Sequence, residues 1–259
     1  MVCAIAYEGT QYAGWQLQKG VLTIQQVVEE ALSKVATHPV RVMCAGRTDQ
    51  GVHASAQIIH FDTTTDRTPE TWVLACNYYL PADIRIVWVK KTLDSFHARF
   101  SAYERSYRYL IYQGVMPWFK KYALVYNRPL NSANMQKAAQ YLIGEHDFSA
   151  FRSADCQARS PIRQIKTISV SCTEIGIVID IKANAFLHHM VRNIVGVLME
   201  MGQGRRLPET MLDLLNSRDR RQASMTAAPQ GLYLHHISYP AHFQLPNTRF
   251  DLPHLGFIL

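Results

Sequence analysis

Apolar residues recur at helical spacing from about Thr23 to Ala36, and the stretches on either side switch to strand patterning. A chain with this alternation must pack helices against a sheet. Val2 to Tyr7 reads as a short buried strand, and Thr23 stands where it can cap a helix whose Val27, Val28, Ala31, Leu32 and Val35 share a face. Val40 to Cys44 and Gln57 to Phe61 read as strands around a polar loop. Pro69 to Tyr78 reads as a second helix with Pro69 in its first turn, and Ile84 to Val89 as a further strand. The resulting β-α-β-β-α-β order is that of a split βαβ, or ferredoxin-like, unit.

A related order follows. Tyr107 to Tyr112 is an aromatic-rich strand and Ala133 to Leu142 a helix. Ile165 to Cys172 and Ile175 to Ala183 are strands around a turn near Glu174, the second with Ile175, Ile177, Ile179 and Ile181 on one face. Leu187 to Met201 is predicted as a helix with the stripe Met190, Val191, Ile194, Val195, Leu198 and Met199. Pro208 to Asn216 is a further helix and Gly231 to His236 a last strand. The expectation is an α+β chain of two ferredoxin-like halves, residues 1–104 and 105–259, joined around Ser95 to Gly114. The halves would share a central mixed or antiparallel sheet, with helices packed on one side and a cleft between them. No Ser/Gly-rich linker separates them, which argues for a common interface.

The formal charge of +7 and a pI near 9.2 favour a polyanionic partner. The five cysteines are scattered, without zinc-ligand spacing, as in a reducing cytoplasm. No basic-then-apolar leader and no bilayer-length apolar run is present, so the expected location is cytoplasmic, away from membranes. The apolar tail Gly256-Phe257-Ile258-Leu259 is expected to dock on the body or on a partner subunit.

The densest polar cluster is Ala45-Gly46-Arg47-Thr48-Asp49-Gln50-Gly51-Val52-His53-Ala54, set between two strands. Chemistry alone leaves two readings open. Asp49 is either a functional carboxylate or the residue that closes an ordinary hairpin turn. Arg47 either contacts phosphate or pairs with Asp49. His53, a lone loop histidine, reads as structural.

Gly46 to Ala54 resembles the signature loop of the tRNA pseudouridine synthase A family. Gly9, Tyr12, Gly14, Trp15 and Gln16 match that family's opening segment, Phe96-His97-Ala98-Arg99-Phe100-Ser101-Ala102 its central segment and Tyr107-Arg108-Tyr109 the strand that follows. Lys182 to Asn193 match its late segment, and the blocks keep the family's order. Glu8 stands where an aspartate is common and Gln50 where alanine is common. The resemblance implies an isomerase that converts uridine to pseudouridine in the anticodon stem-loop of tRNA, acting as a homodimer. It implies Asp49 as the catalytic aspartate, Tyr107 as the tyrosine that stacks near the target base, and Arg192 as the arginine that pairs with the aspartate.

Substrate and product of that reaction are isomers, so no cofactor and no metal is expected. A carboxylate suits a step that leaves cationic character on a sugar: it can stabilise the charge, attack C1′ or act as a base, and addition to C6 of the base is a further route. Tyr107 offers a ring for stacking and a phenol for proton traffic at C5. A stem uridine must be flipped out before any of this happens. Arg47, Arg99, Arg105 and Arg108 are candidates for holding the RNA, with Arg152, Arg159, Arg163, Arg205-Arg206 and Arg220-Arg221 behind them. His188-His189 can touch RNA, but adjacent helical residues do not make a metal pair. Two other readings remain: a non-catalytic RNA-binding protein on the same fold, and a nucleoside hydrolase with Glu8 or Asp62 as second carboxylate.

Overall fold

The computed structural model describes residues 1–246, and the tail discussed above lies outside them. Two compact units emerge. Residues Met1–Glu104 and 233–246 form the first, and Arg105–Leu232 the second.

In the first unit β1 (Val2–Tyr7) is followed by α1 (Ile24–Ala36), β2 (Met43–Cys44), β3 (His53–His60), α2 (Pro69–Tyr79) and β4 (Ile84–Lys90). Thr23 caps α1 by accepting the Gln26 N–H at 3.4 Å, and Thr68 caps α2, with Pro69 at its start. β1 lies antiparallel between β3 and β4, and β2 runs antiparallel to β3, which gives the strand order of a ferredoxin-like unit. The unit's core gathers Ile5, Trp15, Ile24, Leu32, Ile59, Phe61 and Trp72, all almost fully buried. α1 and α2 pack on each other, and α2 on β4.

The expected strand from Val40 is reduced to two residues for a specific reason. The Val40 N–H donates to Ser33 Oγ and the Val42 N–H to Glu29 Oε1, at 2.9 and 3.0 Å. Side chains of α1 thus take the donors that a ladder would need. β3 is longer than expected and starts at His53, so the end of the polar cluster is already strand. One edge of β3 is shared along its length. Cys44 and Met43 pair with Ile59 and His60 near its end, while Tyr233 and Leu234 of the last strand pair in parallel with His53 and Ala54 at its start. The final strand of the described residues therefore returns to the first unit.

The second unit contains β5 (Glu104–Tyr112), β6 (Leu124–Val125), α3 (Ser132–Gln140), β7 (Gly144–Asp147), β8 (Ile162–Thr173), β9 (Gly176–Ala183), α4 (Met190–Gly202) and α5 (Thr210–Ser217), before β10 (Leu232–Ser238) leaves it. Its strand order β5-β9-β8-β7 is antiparallel throughout, with β6 parallel to β5. α4 starts three residues later than expected because His189 takes a left-handed conformation, φ 62°, which ends any helix extended towards Leu187. No helix of the described residues is long and apolar enough to cross a membrane.

Candidate active site

The loop between β2 and β3 is fixed from four directions. Buried Gln57 on β3 reaches back to Gly46, donating to its carbonyl and accepting its N–H. The Thr48 carbonyl accepts the Trp15 N–H at 3.0 Å, and Thr48 Oγ1 shares a hydrogen bond of 2.8 Å with the Tyr7 hydroxyl. The Asp49 carbonyl accepts the Val52 N–H at 3.1 Å, closing a turn in which Gly51 has φ 76°. Finally, the Gly9 N–H donates to His53 Nδ1 at 3.0 Å, which puts the proton of a neutral imidazole on Nε2, and the His53 ring stacks on Tyr233 at 4.7 Å. His53 is therefore a strut, as read from the sequence.

Two glycines let the opening segment approach this loop. A Cβ on Gly14 would meet the Thr48 carbonyl oxygen at 2.7 Å, and one on Gly9 would meet the Val52 oxygen at 2.0 Å. The result is a rigid turn with Arg47 exposed, Thr48 buried and Asp49 partly buried. The backbone of Asp49 is thereby held in place, which limits where its carboxylate can lie. Behind the turn, burial pushes the Cys44 thiol up to about 12, while the charges of Arg47 and Arg99 pull the other way.

Tyr107 and Arg192 belong to the second unit. Tyr107 sits on β5 opposite Ile181, nearly buried, with its ring edge-on to Phe186 at 5.0 Å. Tyr109, two residues along, is fully buried and donates to the Ala228 carbonyl at 2.7 Å. Burial drives its phenol pKa upward against an opposite pull from Arg192. Tyr109 thus has a structural task, and the two tyrosines are distinguished on physical grounds that the sequence does not supply.

Arg192 lies on the first turn of α4. Its Nε donates to the Ala227 carbonyl at 2.8 Å, and its own carbonyl accepts the Ala227 N–H at 3.1 Å. Arg192 and Tyr109 together hold the 227–228 segment. Beside it, buried Asn193 donates to the Phe151 carbonyl at 2.8 Å, and its Oδ1 accepts from Thr226 and Arg220. This network around Asn193 was not visible in the sequence, although an asparagine inside an otherwise apolar helix is a signal of it.

The remaining arginines separate into two groups. Arg108 forms a two-pronged pair with Asp180 at 2.8 and 2.9 Å, Arg206 pairs with Glu200 and Arg221 with Asp219. Arg220 donates to main-chain carbonyls at Ala223 and Ser224, Arg152 to those of Cys156 and Ala158, and Arg163 to those of Ser160 and Ile162. Arg105 donates to the Asn184 carbonyl at 3.1 Å. Arg47, Arg99, Arg159 and Arg205 are exposed.

The comparisons with known proteins agree on one family. The model of the tRNA pseudouridine synthases matches residues 3–101 and 138–240. Asp49 and Arg192 fall within the matched segments, while Tyr107 lies between them. A tRNA pseudouridine synthase A of Coxiella burnetii is 50% identical over 244 residues, covering 93% of this chain and 94% of that protein. One of Vibrio cholerae is also 50% identical, with 93% and 92% covered, and one of Klebsiella pneumoniae 48% identical, with 93% and 90% covered. Likeness of this depth over nearly the whole chain is not confined to the Asp49 loop, and this chain belongs to the tRNA pseudouridine synthase family.

Proposed function

We propose that the chain isomerises uridine to pseudouridine in the anticodon stem-loop of tRNA, with Asp49 as the catalytic carboxylate and Tyr107 and Arg192 acting with it on the target nucleotide. The observation that carries this reading is the clamped turn, which holds a carboxylate on main-chain supports inside a family-matched segment. The reaction breaks the bond between N1 and C1′, rotates the base and joins C5 to C1′. A proton leaves C5 and N1 gains one, so nothing external is consumed. Asp49 meets the positive character that develops at C1′, Arg192 supplies a guanidinium to the same nucleotide, and the Tyr107 phenol handles the C5 proton.

Arg47 and Arg99 are the arginines proposed to hold phosphate, since both are exposed in the first unit. Arg108 is left out of that surface because Asp180 already occupies its fork. We further propose that the protein acts as a homodimer in the cytoplasm, where its cysteines, all free among the described residues, stay reduced. The direct test is incubation of the full chain with an unmodified tRNA transcript, with pseudouridine scored position by position. Product at stem-loop uridines is the expected result. Tight binding without product would point to the RNA-binding alternative.

Two substitutions probe the roles in the second unit. Tyr107→Phe keeps the ring, so tRNA affinity is expected within about threefold of wild type while turnover falls about 100-fold, the scale of a lost proton-transfer group. Tyr109→Phe is expected to act differently. It removes the donor to Ala228 and lowers stability by about 1–2 kcal/mol, with turnover per folded molecule little changed. Single-turnover kinetics beside thermal melts separate the two. Equal kinetic losses would remove the distinction between them.

Arg192→Lys keeps a positive charge but loses the planar fork, one nitrogen of which is already committed to Ala227. Turnover is expected to drop about 10- to 100-fold, the scale of a hydrogen bond to a charged group. Folding should persist, because the main-chain bond from Ala227 to Arg192 remains. Near-normal kcat would show that the guanidinium shape is not used.

A further inference from the structure

The segment from Phe96 to Ser101 is pinned at almost every main-chain donor. The His97 N–H donates to Ser101 Oγ and the Ser101 N–H to the His97 carbonyl, at 3.0 and 2.9 Å. The Arg99 and Phe100 N–H groups both donate to His97 Nδ1, at 3.1 and 3.2 Å. The Ala98 N–H donates to His60 Nδ1 at 3.1 Å, and the Ala98 carbonyl accepts the Tyr239 hydroxyl at 2.6 Å. Phe96 is buried between Tyr239 and Phe243, each at 5.1 Å.

This rigid turn carries an aromatic ring that the core does not use. Phe100 is 75% exposed. It ends a run of rings in which His60 lies 4.6 Å from His97 and His97 4.3 Å from Phe100. The Arg99 guanidinium lies 5.6 Å from the Phe100 centroid. His60, which holds the Phe100 turn through the Ala98 N–H, pairs in register with β2, and β2 leads into the loop that carries Arg47 and Asp49, so both turns adjoin the same short strand. Met43 on that strand, itself exposed, stands opposite His60 in register.

An exposed ring on a fixed turn gives up little conformational freedom when something stacks on it. Arg99 beside it, with Arg47 on the loop that follows β2, suits the phosphates that accompany a flat group, the combination that a single-stranded nucleotide presents. A folded protein partner would call for a much wider patch, on the order of 800 Å² per partner. We infer that Phe100 is a stacking platform for an unpaired base of the substrate RNA, with Arg99 and Arg47 holding its neighbouring phosphates. The inference rests on the reading of this chain as an enzyme acting on tRNA, and it adds a stacking position to its RNA-binding surface.

The test uses the full chain and an anticodon stem-loop hairpin, with Kd as its readout. F100L removes the ring and keeps apolar bulk, and F100W keeps a ring. Stacking of one base on an aromatic side chain predicts that F100L binds about tenfold or more weakly, with F100W within about threefold of wild type. Hairpins carrying an abasic site at each loop position in turn supply the second arm. At one position the abasic hairpin should bind wild type and F100L equally, because the base that stacks is missing. Equal binding of wild type and F100L to the intact hairpin would overturn the inference, as would a full F100L penalty on every abasic hairpin. Pseudouridine formation by wild type is scored separately. Absence of product with the Phe100 effect intact would sink the enzymatic reading alone, and product without a Phe100 effect would sink the platform alone.

Discussion

Asp49→Asn should abolish pseudouridine formation, lowering turnover by about 1,000-fold or more, while tRNA binding persists. The turn that presents residue 49 is built from main-chain groups and from other side chains. Val52 donates to the residue 49 carbonyl, Trp15 to that of Thr48, and Gln57 clamps Gly46. Asparagine is close to isosteric, so the shape of the turn survives the change. It brings no negative charge, no nucleophile and no strong base, and every candidate role of the carboxylate needs one of these. Affinity comes mostly from phosphate contacts made elsewhere and should stay within a fewfold of wild type. The measurement is product and retained RNA on one unmodified tRNA, with a thermal melt of each protein. Product at the wild-type rate from the folded variant would remove Asp49 from the chemistry.

The supports of this turn explain why the sequence announced the loop but not its mounting. Two helix starts were legible from local signals: Thr23 before an apolar period, and Pro69 before another. β9 was legible from Ile177, Ile179 and Ile181, all buried as their alternation requires, while Ile175, read with them, falls in the turn before the strand. Long-range substitution of one partner for another was not legible. Val40 to Cys44 has strand composition, yet Ser33 and Glu29 take its N–H groups across the helix-strand gap. The sign that was available is Glu29 itself, a carboxylate on the buried face of α1, 5% exposed. Gly144–Asp147 forms an edge strand although Glu145, His146 and Asp147 carry no apolar period, because pairing with β8 alone defines it. Likewise Asp49 could be singled out as a candidate from its neighbours in sequence. Tyr7, Gly9, Trp15 and Gln57, which hold its turn, lie at separations that no local pattern encodes.

That long-range mounting makes Gly9→Ala a damaging small substitution in the first unit. A methyl group on residue 9 would lie 2.0 Å from the Val52 carbonyl oxygen and 2.7 Å from its carbon, so one main chain must move away from the other. Movement at residue 9 pulls its N–H from His53 Nδ1, and movement at residue 52 pulls on the bond to the Asp49 carbonyl. Overpacking against main chain costs about 1–3 kcal/mol, and a buried acceptor left without its donor adds about 1–3 kcal/mol. The expected result is a lower melting temperature together with a turnover loss larger than the loss of tRNA affinity, since the displaced element carries the carboxylate. Gly20→Ala is the control. Gly20 has φ 83° but nothing within 4 Å of an added Cβ, so its cost is the roughly 1–2 kcal/mol of a left-handed residue and should not reach the chemistry. Melts and single-turnover rates on both variants decide the matter. If Gly9→Ala behaves like Gly20→Ala in both, the contact between residue 9 and residue 52 does not position Asp49, and the turn must owe its rigidity to Gln57 and Trp15 instead.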